Sequence, residues 1–279
     1  MTDFRHPGNG AVITGGASGI GLAAAKQMVS DGMNVLIADR NEEALTAAVE
    51  KLNALGRGNA FGQICDVAEM ANLETLRTVA ADTIGKVHCL MNNAGGGFPT
   101  SAPWDDLDAL KTTLAVNLMG VVHGCHAFIP DMLAHGEAGV IINTGSKQGI
   151  TRPPGNHAYN LSKAGVLAYT ESVAYGLRQI EDCKLSAHLL VPGFVYTGLV
   201  ARFIPEKPAS AWTAEQTVEF ALPCIERGDF YIICPDNDVT RDMDEKRMQW
   251  TADDLIKNRP ALSRWHDDYK DAFDEYMKG

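Results

Sequence analysis

The chain has 279 residues, a net charge of −11 and an isoelectric point near 5.1. A net-negative surface repels phosphate backbones, which argues against nucleic-acid binding. The six cysteines form no CxxC pair, which is typical of a protein from a reducing compartment. Residues 1–10 are polar, and no apolar run approaches the ~18 residues that a membrane span needs. We therefore expect a cytoplasmic protein without a membrane partner.

Short apolar runs alternate with long segments of helical periodicity. The strand-like runs are residues 11–14, 34–39, 60–66, 88–92, 140–144, 186–191 and 230–234, and helical patterns between them include residues 20–30, 42–55 and 73–84. This alternation predicts repeated βαβ units, and the nearly continuous apolar strands indicate helices on both faces of the sheet. We predict an α/β fold with a doubly wound parallel sheet of about seven strands.

The sequence contains no Pro/Gly/Ser-rich linker and no internal repeat, which predicts a single domain over residues 1–279. Residues 236–279 differ from the rest, because they are rich in Asp and Lys and carry interspersed tryptophans and tyrosines. We predict that this segment is an appended C-terminal helical tail. Its aromatic residues would pack against the body of the protein or against a second subunit.

A glycine-rich segment, TGGASGIG at residues 14–21, follows the first predicted strand and opens a helix. Glycines let backbone N–H groups approach a pyrophosphate, and a helix N-terminus offers it partial positive charge. Gly15, Gly19 and Gly21 follow the spacing GxxxGxG rather than GxGxxG. A plain glycine turn is the alternative, but the strand–glycine–helix order predicts a Rossmann-like dinucleotide site.

The second predicted strand ends at Asp39, where a carboxylate would accept hydrogen bonds from the adenosine ribose and repel a 2′-phosphate. The alternative is a surface Asp that caps the next helix. Arg40 follows, and its guanidinium would instead favour a 2′-phosphate. Because the glycine loop itself carries no Lys or Arg, we expect NAD rather than NADP.

Tyr159 and Lys163 lie four residues apart, which places them one turn apart on one helix face. A neighbouring ammonium favours a phenolate, so we expect the pKa of Tyr159 to be depressed. Ser146 emerges at the carboxyl end of an apolar strand, where ligands bind in open α/β sheets. A chance pair on a solvated helix face and a helix-capping serine are the alternatives.

Together these motifs resemble the short-chain dehydrogenase/reductase family, in its compact single-domain branch, over residues 8–235. The resemblance rests on TGGASGIG at 14–21, Asp66-Val67, NNAG at 92–95, Asn117, Ser146, Tyr159 with Lys163, and Pro192-Gly193. It implies an oxidoreductase that interconverts a secondary alcohol and a ketone. During oxidation the Tyr159 phenolate would remove the alcohol proton while hydride leaves for NAD⁺, and reduction would follow the same path backwards.

The resemblance also implies a role for each matching residue. Ser146 would hydrogen-bond the substrate oxygen, Lys163 would hold the nicotinamide ribose and lower the pKa of Tyr159, and Asn117 would anchor a relay water. The implied cofactor-binding set is Gly15, Ser18, Gly19, Ile20, Gly21, Asp39, Arg40, Asp66, Val67, Asn93, Ala94, Gly95, Tyr159, Lys163, Pro192, Gly193, Val195 and Thr197. No metal ligand is implied. No Asp-Gly-Gly follows the last strand, so a homotetramer is in doubt, and we expect a homodimer or a homotetramer.

Three features suggest other chemistry. His123 and His126 have metal-like spacing, but we interpret them as packing or interface residues. A calcium loop at Asp236, Asp238, Asp242 and Asp244 is rejected because Arg241 and Arg247 occupy the positions that need Gly and Glu. His157 would face the substrate or lie in a solvated loop. Lys147, directly after Ser146, receives no role.

The expected pocket walls are apolar and aromatic, which predicts a hydrophobic substrate, aromatic or steroid-like. They lie near residues 96–99, 147–157 and 194–204, which contribute Gly97, Phe98, Ile150, Pro153, Pro154, Phe194, Tyr196, Leu199 and Phe203. Arg152 and Arg202 would select a carboxylate at the mouth of the pocket.

Rival functions are an NADP-dependent carbonyl reductase, a nucleotide-sugar epimerase or dehydratase, and a non-catalytic dinucleotide sensor. The short segment after Pro192 disfavours the epimerase, which needs a larger substrate domain. The intact set of Asn117, Ser146, Tyr159 and Lys163 disfavours the sensor.

Overall fold

The computed structural model describes residues 4–97, 102–201 and 204–279, apart from the side chain of Leu199. Its sheet has seven parallel strands in the order β3-β2-β1-β4-β5-β6-β7. The strands are β1 (Gly10–Thr14), β2 (Asn34–Asp39), β3 (Ala60–Ile64), β4 (Val87–Asn92), β5 (Gly139–Thr144), β6 (Leu185–Val191) and β7 (Tyr231–Ile233). The predicted α/β fold with a doubly wound parallel sheet is confirmed.

Helices connect the strands and cover both faces of the sheet. They are α1 (Gly19–Ser30), α2 (Glu42–Asn53), α3 (Met70–Thr83), α4 (Leu107–Leu114), α5 (Gly120–His135), α6 (Lys147–Thr151), α7 (His157–Arg178), α8 (Gly198–Ala201), α9 (Ala214–Arg227), α10 (Arg241–Ile256) and α11 (Lys270–Lys278). A π-helical segment, Ala115–Met119, joins α4 to α5. β3 ends two residues before the predicted boundary because Asp66 begins a turn, in which its carboxylate accepts from Ala68 N at 3.0 Å.

The strand order reverses between β1 and β4. β2 and β3 lie on one side of β1. The chain then returns to the other side of β1 for β4 and continues outward to β7. Open α/β sheets bind ligands in the crevice at the carboxyl ends of the strands at such a switch point. The loops after β1, β4, β5 and β6 all leave the sheet at this edge.

Two apolar layers sandwich the sheet, because successive strand residues point to opposite faces. Ile13 and Ile37 pack with Met28 of α1 on one face. On the other face, Leu36 packs in the same cluster as Phe128 of α5. Burial of these layers is the main stabilising contribution to the fold.

Within the described residues, one continuous helical segment, Leu107–His135, is long and apolar enough to cross a membrane, with a mean hydropathy of 1.3. It is not an unbroken apolar run, since Asp108, Lys111 and Asp131 interrupt it. The apolar composition has a structural reason, since Val121, Phe128 and Met132 are buried in the core beneath the sheet. The segment is thus a core helix of the α/β fold.

Residues 236–279 form the predicted C-terminal helical tail, which consists of α10, two short 3-10 turns and α11. Trp250 of α10 is buried against Phe273 and Tyr276 of the tail, at ring-centroid distances of 5.2 and 5.3 Å. The Arg259 guanidinium lies 4.0 Å from the Trp250 ring. The tail therefore has a small core of its own, and α10 packs against α6 of the body.

Candidate active site

The glycine loop bends tightly between β1 and α1. Gly15 has a φ of +64°, and a Cβ at this position would lie 2.8 Å from the Cα of Ala94. Only glycine combines this left-handed conformation with such close approach of two backbones. Ser18 precedes α1 without capping it, and the first turn of α1 has no acidic residue. The positive end of α1, with Ile20 and Gly21 in its first turn, is therefore available to a pyrophosphate.

The loop after β4 is bonded to the glycine loop. The Thr14 hydroxyl accepts from Asn93 N at 3.0 Å and from Ala94 N at 3.1 Å. The Asn93 amide in turn donates to the carbonyls of Thr14 and Gly15 at 3.2 and 3.3 Å. These bonds hold the two loops together at the switch point, where the sequence placed the cofactor.

The residues expected on the adenosine side follow β2 and β3. The carboxylate of Asp39 accepts from Ala17 N in the glycine loop at 3.3 Å and from Asn41 N at 3.1 Å. Asn41, not Asp39, caps α2. Arg40 and Asp66 are exposed, while Val67 is buried and its carbonyl accepts from His123 Nδ1 at 3.0 Å. Asp39 thus faces the glycine loop, and the metal-like His123 is a packing residue.

The segment after β6 returns over the glycine loop. Val195 forms a bridge with Trp212, and Tyr196 N donates to the Trp212 carbonyl at 2.9 Å. A Cβ on Gly19 would lie 3.2 Å from Thr197 Cγ2. Pro192 and Gly193 lead into this segment. Because Thr197 lies beside Gly19 of the glycine loop, it is close to the position expected for the cofactor.

Ser146, Tyr159 and Lys163 meet where β5 ends and α7 begins. Ser146 caps α6 and accepts from Gln148 N at 3.2 Å. Asn156 caps α7 through a bond from Tyr159 N at 3.1 Å, which fixes the first turn that carries the phenol. Lys163 Nζ lies 5.7 Å from the centre of the Tyr159 ring and donates to the Thr144 carbonyl at 2.8 Å. The structure therefore brings together the three groups that the sequence predicted.

The pKa of Tyr159 differs from the expected direction. Burial raises the pKa of the phenol, and the hydrogen bond with the Ser146 hydroxyl lowers it by less. Burial also lowers the pKa of the Lys163 ammonium to about 8. The expectation of a depressed pKa was wrong for the protein alone, because burial of the phenol outweighs its polar neighbours.

Asn117 lies in the π-helical segment and is fully buried. Its side chain accepts from Gly96 N at 2.8 Å and donates to the Gly96 carbonyl at 2.9 Å. A Cβ on neighbouring Gly95 would lie 3.2 Å from Asn117 Oδ1 and 3.7 Å from Lys163 Nζ. Asn117 thus organises the loop beside Lys163. π-Helical segments occur frequently at functional sites, but nothing in the sequence predicted this one.

Several other predicted residues have defined places. His126 is exposed, and His157 begins α7 half-buried, with no hydrogen-bond partner for Nε2 among the described residues. His157 is therefore not in a solvated loop. The carboxylates of Asp236 and Asp244 are bonded within the protein, as described below. Sequence reasoning missed Lys147, which forms an ion pair with Asp244; the only available signal was its position directly after Ser146.

The structure describes part of the expected pocket wall. Ile150 packs against the core, and the Tyr196 hydroxyl donates to the Pro205 carbonyl at 2.6 Å. Arg152 and Pro154 are exposed. The expected wall residues Phe98, Pro99 and Phe203, with Arg202 and the side chain of Leu199, lie outside the described residues.

The fold and site define a dinucleotide-binding protein with a Ser/Tyr/Lys cluster, and comparisons with known proteins agree. Residues 9–208 match the family model described as short chain dehydrogenase. The 3beta-hydroxysteroid dehydrogenase 2 of Eggerthella lenta is 32% identical over 227 residues, covering 79% of this chain and 85% of that protein.

Two solved structures extend the comparison. A short chain dehydrogenase/reductase from Burkholderia phymatum, in complex with NAD, has a TM-score of 0.83 and 31% identity, with 91% of this chain and 96% of that chain covered. An alcohol dehydrogenase from the archaeon Thermococcus sibiricus, complexed with 5-hydroxy-NADP, has a TM-score of 0.69 and 25% identity, with 78% and 90% covered.

The chain belongs to the short-chain dehydrogenase/reductase family. It is therefore an oxidoreductase whose relatives are dehydrogenases that act on CH–OH groups, and it binds a nicotinamide dinucleotide. Gly15 and the open first turn of α1 fit the pyrophosphate of such a cofactor.

Proposed function

We propose that this protein is an NAD-dependent dehydrogenase/reductase that interconverts a hydrophobic secondary alcohol and its ketone. The observation that carries the proposal is the cluster of Ser146, Tyr159 and Lys163 at the carboxyl edge of the sheet. There the Tyr159 hydroxyl interacts with the Ser146 hydroxyl, and the centre of the Tyr159 ring lies 5.7 Å from Lys163 Nζ. Fold alone would leave the activity open, whereas these side chains specify proton transfer at a substrate oxygen.

Each residue has a distinct role in the proposed reaction. In oxidation, Tyr159 takes the proton from the alcohol oxygen, and in reduction it returns that proton to the carbonyl oxygen. The Ser146 hydroxyl donates a hydrogen bond to the same oxygen and orients the substrate. NAD⁺, when bound, supplies the hydride acceptor.

Lys163 and Asn117 would support the proton transfer. While protonated, Lys163 stabilises negative charge on the Tyr159 oxygen. Asn117 holds the Gly96 backbone beside Lys163 and would anchor the relay water between that ammonium and solvent. Of the implied cofactor set, Lys163 would also hold the nicotinamide ribose, and Thr197 the carboxamide.

Asp39 supports NAD over NADP. Its carboxylate faces the glycine loop through Ala17 N, where it would accept from the ribose hydroxyls and repel a 2′-phosphate. The alternative, an NADP-dependent carbonyl reductase, is favoured by the exposed Arg40 next to it.

The apolar residues Ile150, Pro153 and Phe194 support a hydrophobic substrate, as does the hydroxysteroid dehydrogenase among the relatives. Six free cysteines, five of them buried, support a reducing, cytoplasmic setting. We further propose that the chain functions as a homo-oligomer.

The test follows absorbance at the reduced-nicotinamide band. Purified protein is mixed with NAD⁺ or NADP⁺ and with cyclohexanol, a benzylic alcohol, a 3β-hydroxysteroid or a hydroxy acid. The proposal predicts NADH formation with the apolar alcohols and at least about tenfold lower kcat/KM with NADP⁺. A preference for NADP⁺ would establish the carbonyl reductase alternative, and turnover of the hydroxy acid alone would contradict the hydrophobic pocket.

A further inference from the structure

Lys147, the residue after Ser146, has an ammonium that lies in a cluster of charged groups. Its Nζ lies 2.6 Å from Asp244 Oδ2 and 3.7 Å from Asp236 Oδ2. Arg247 Nη1 lies 3.9 Å from the other oxygen of Asp244. We call Lys147, Asp236, Asp244 and Arg247 the ion cluster. The Arg264 guanidinium of the tail lies close enough to interact electrostatically with Asp244 and Arg247.

The ion cluster joins three parts of the chain. Lys147 begins α6 directly after the β5 loop, Asp236 follows β7, and Asp244 and Arg247 lie on α10 of the tail. The side chains of Asp236 and Asp244 are only 6% and 7% exposed. Because a buried charge without its partner is strongly unfavourable, each of these groups constrains the position of the others.

Asp236 also binds the loop that follows β6. Its Oδ2 accepts from Phe194 N at 3.0 Å, while its Oδ1 accepts from Val239 N at 2.8 Å. A Cβ on Gly193 would lie 2.9 Å from Asp236 Oδ2, so the carboxylate packs against the backbone of this loop. One ammonium thus connects the loop that carries Ser146 with the loop that leads to Thr197.

Ser146 is held on its α7 side, because its hydroxyl interacts with Tyr159 and Gly149 of α6 packs against the backbone of Lys163. Its hydroxyl accepts from Gln148 N within α6, and α6 is only five residues long. A helix this short has little intrinsic stability, so tertiary contacts must fix its direction. The ion pair of Lys147 with Asp244 supplies such a contact at the first residue of the helix.

We propose that Lys147 is a positioning residue for the reaction, and that Asp244 of the C-terminal tail holds it in place. The ion cluster fixes the Ser146 hydroxyl relative to Tyr159 and aligns the Phe194 loop beside it. The tail is therefore required for turnover although it contributes no group that touches the substrate. This inference rests on the proposed dehydrogenase function.

The leading test compares Asp244→Asn with Asp242→Asn, a matched control on the same helix whose carboxylate is 74% exposed. Both variants remove one negative charge, but only Asp244→Asn removes a partner of Lys147. In that variant Lys147 still has Asp236 as a partner. We expect Asp244→Asn to lower kcat about tenfold to hundredfold, because small misplacements of reacting groups carry such losses. The KM for NAD⁺ should change less than about threefold, and Asp242→Asn should match wild type.

A double variant separates the effect of lost positioning from the effect of an unpaired charge. Lys147→Met combined with Asp244→Asn removes one positive and one negative charge, so the net charge of this region is unchanged. We expect its kcat to stay low at a temperature where circular dichroism shows that it is folded. Wild-type kcat in this double variant would overturn the proposal, as would a loss in Asp244→Asn that only matches its unfolded fraction.

A third readout needs no substrate. Hydrogen exchange at the Gln148 amide should be faster in Asp244→Asn than in wild type or Asp242→Asn, because Lys147 at the start of α6 loses its nearest carboxylate. Unchanged exchange would overturn the proposal. If the wild-type protein oxidises no alcohol of the panel, the proposed function fails, while the exchange comparison still decides whether the cluster holds the loops.

Discussion

Replacing Asn117 by Ala should destabilise the folded protein and lower its kcat. The side chain is fully buried and makes two hydrogen bonds with the Gly96 backbone, at 2.8 and 2.9 Å. The variant leaves the N–H and the carbonyl of half-buried Gly96 without these partners. At about 1–3 kcal/mol for each of these two polar groups, the free energy of unfolding should fall by about 2–6 kcal/mol.

The assay is urea unfolding followed by circular dichroism, with kcat measured in parallel. Asn34→Ala is the control, because the hydrogen bonds of Asn34 are exposed and its loss should be below about 1 kcal/mol. We expect kcat to fall with Asn117→Ala even in fully folded protein, since the Gly96 loop lies beside Lys163. An unfolding free energy and a kcat both equal to wild type would refute the assigned role of Asn117.

Three further predictions follow from the site and the tail. The kcat/KM for alcohol oxidation should increase from about pH 6 to pH 8, the range in which Lys163 still carries its charge, because burial raises the pKa of Tyr159 and leaves little phenolate at neutral pH; a flat profile over this range would exclude Tyr159 as the base. Asp39→Ala should raise the ratio of kcat/KM for NADP⁺ to that for NAD⁺ at least about tenfold, and an unchanged ratio would mean that Asp39 serves only the backbone of its own loop. Trp250→Ala should lower the free energy of unfolding of the tail by about 3–5 kcal/mol. Limited proteolysis should then cleave residues 241–279 earlier than in wild type.

The sequence was most informative where local periodicity carries the structure. Each of the seven strands lies at its predicted place, because buried parallel strands are short apolar runs that are easy to recognise. The pairing of Tyr159 with Lys163 also follows from local geometry, since residues four apart share a helix face. The glycine loop and Ser146 could be placed at the carboxyl edge of the sheet, because they come just after β1 and β5 in the sequence.

The contacts between distant segments were not predictable in this way. The bond between Asn117 and Gly96 depends on a π-helical turn, and the ion pair between Lys147 and Asp244 joins the β5 loop to the tail. Neither contact leaves a periodic pattern in the sequence. The predicted direction of the Tyr159 pKa shift was wrong for a related reason. The degree of burial, which only the folded protein shows, outweighs the charge of a neighbour.

The central claim is that Tyr159 transfers the proton, and it is tested most directly by the turnover of Tyr159→Phe and Ser146→Ala. NADH formation is followed for both variants with the best alcohol of the panel, and NADH affinity is measured by fluorescence. The account predicts that Tyr159→Phe loses at least about a hundredfold in kcat, with an NADH dissociation constant within about threefold of wild type. Ser146→Ala should retain more activity than Tyr159→Phe. Near-normal turnover by Tyr159→Phe would contradict the mechanism.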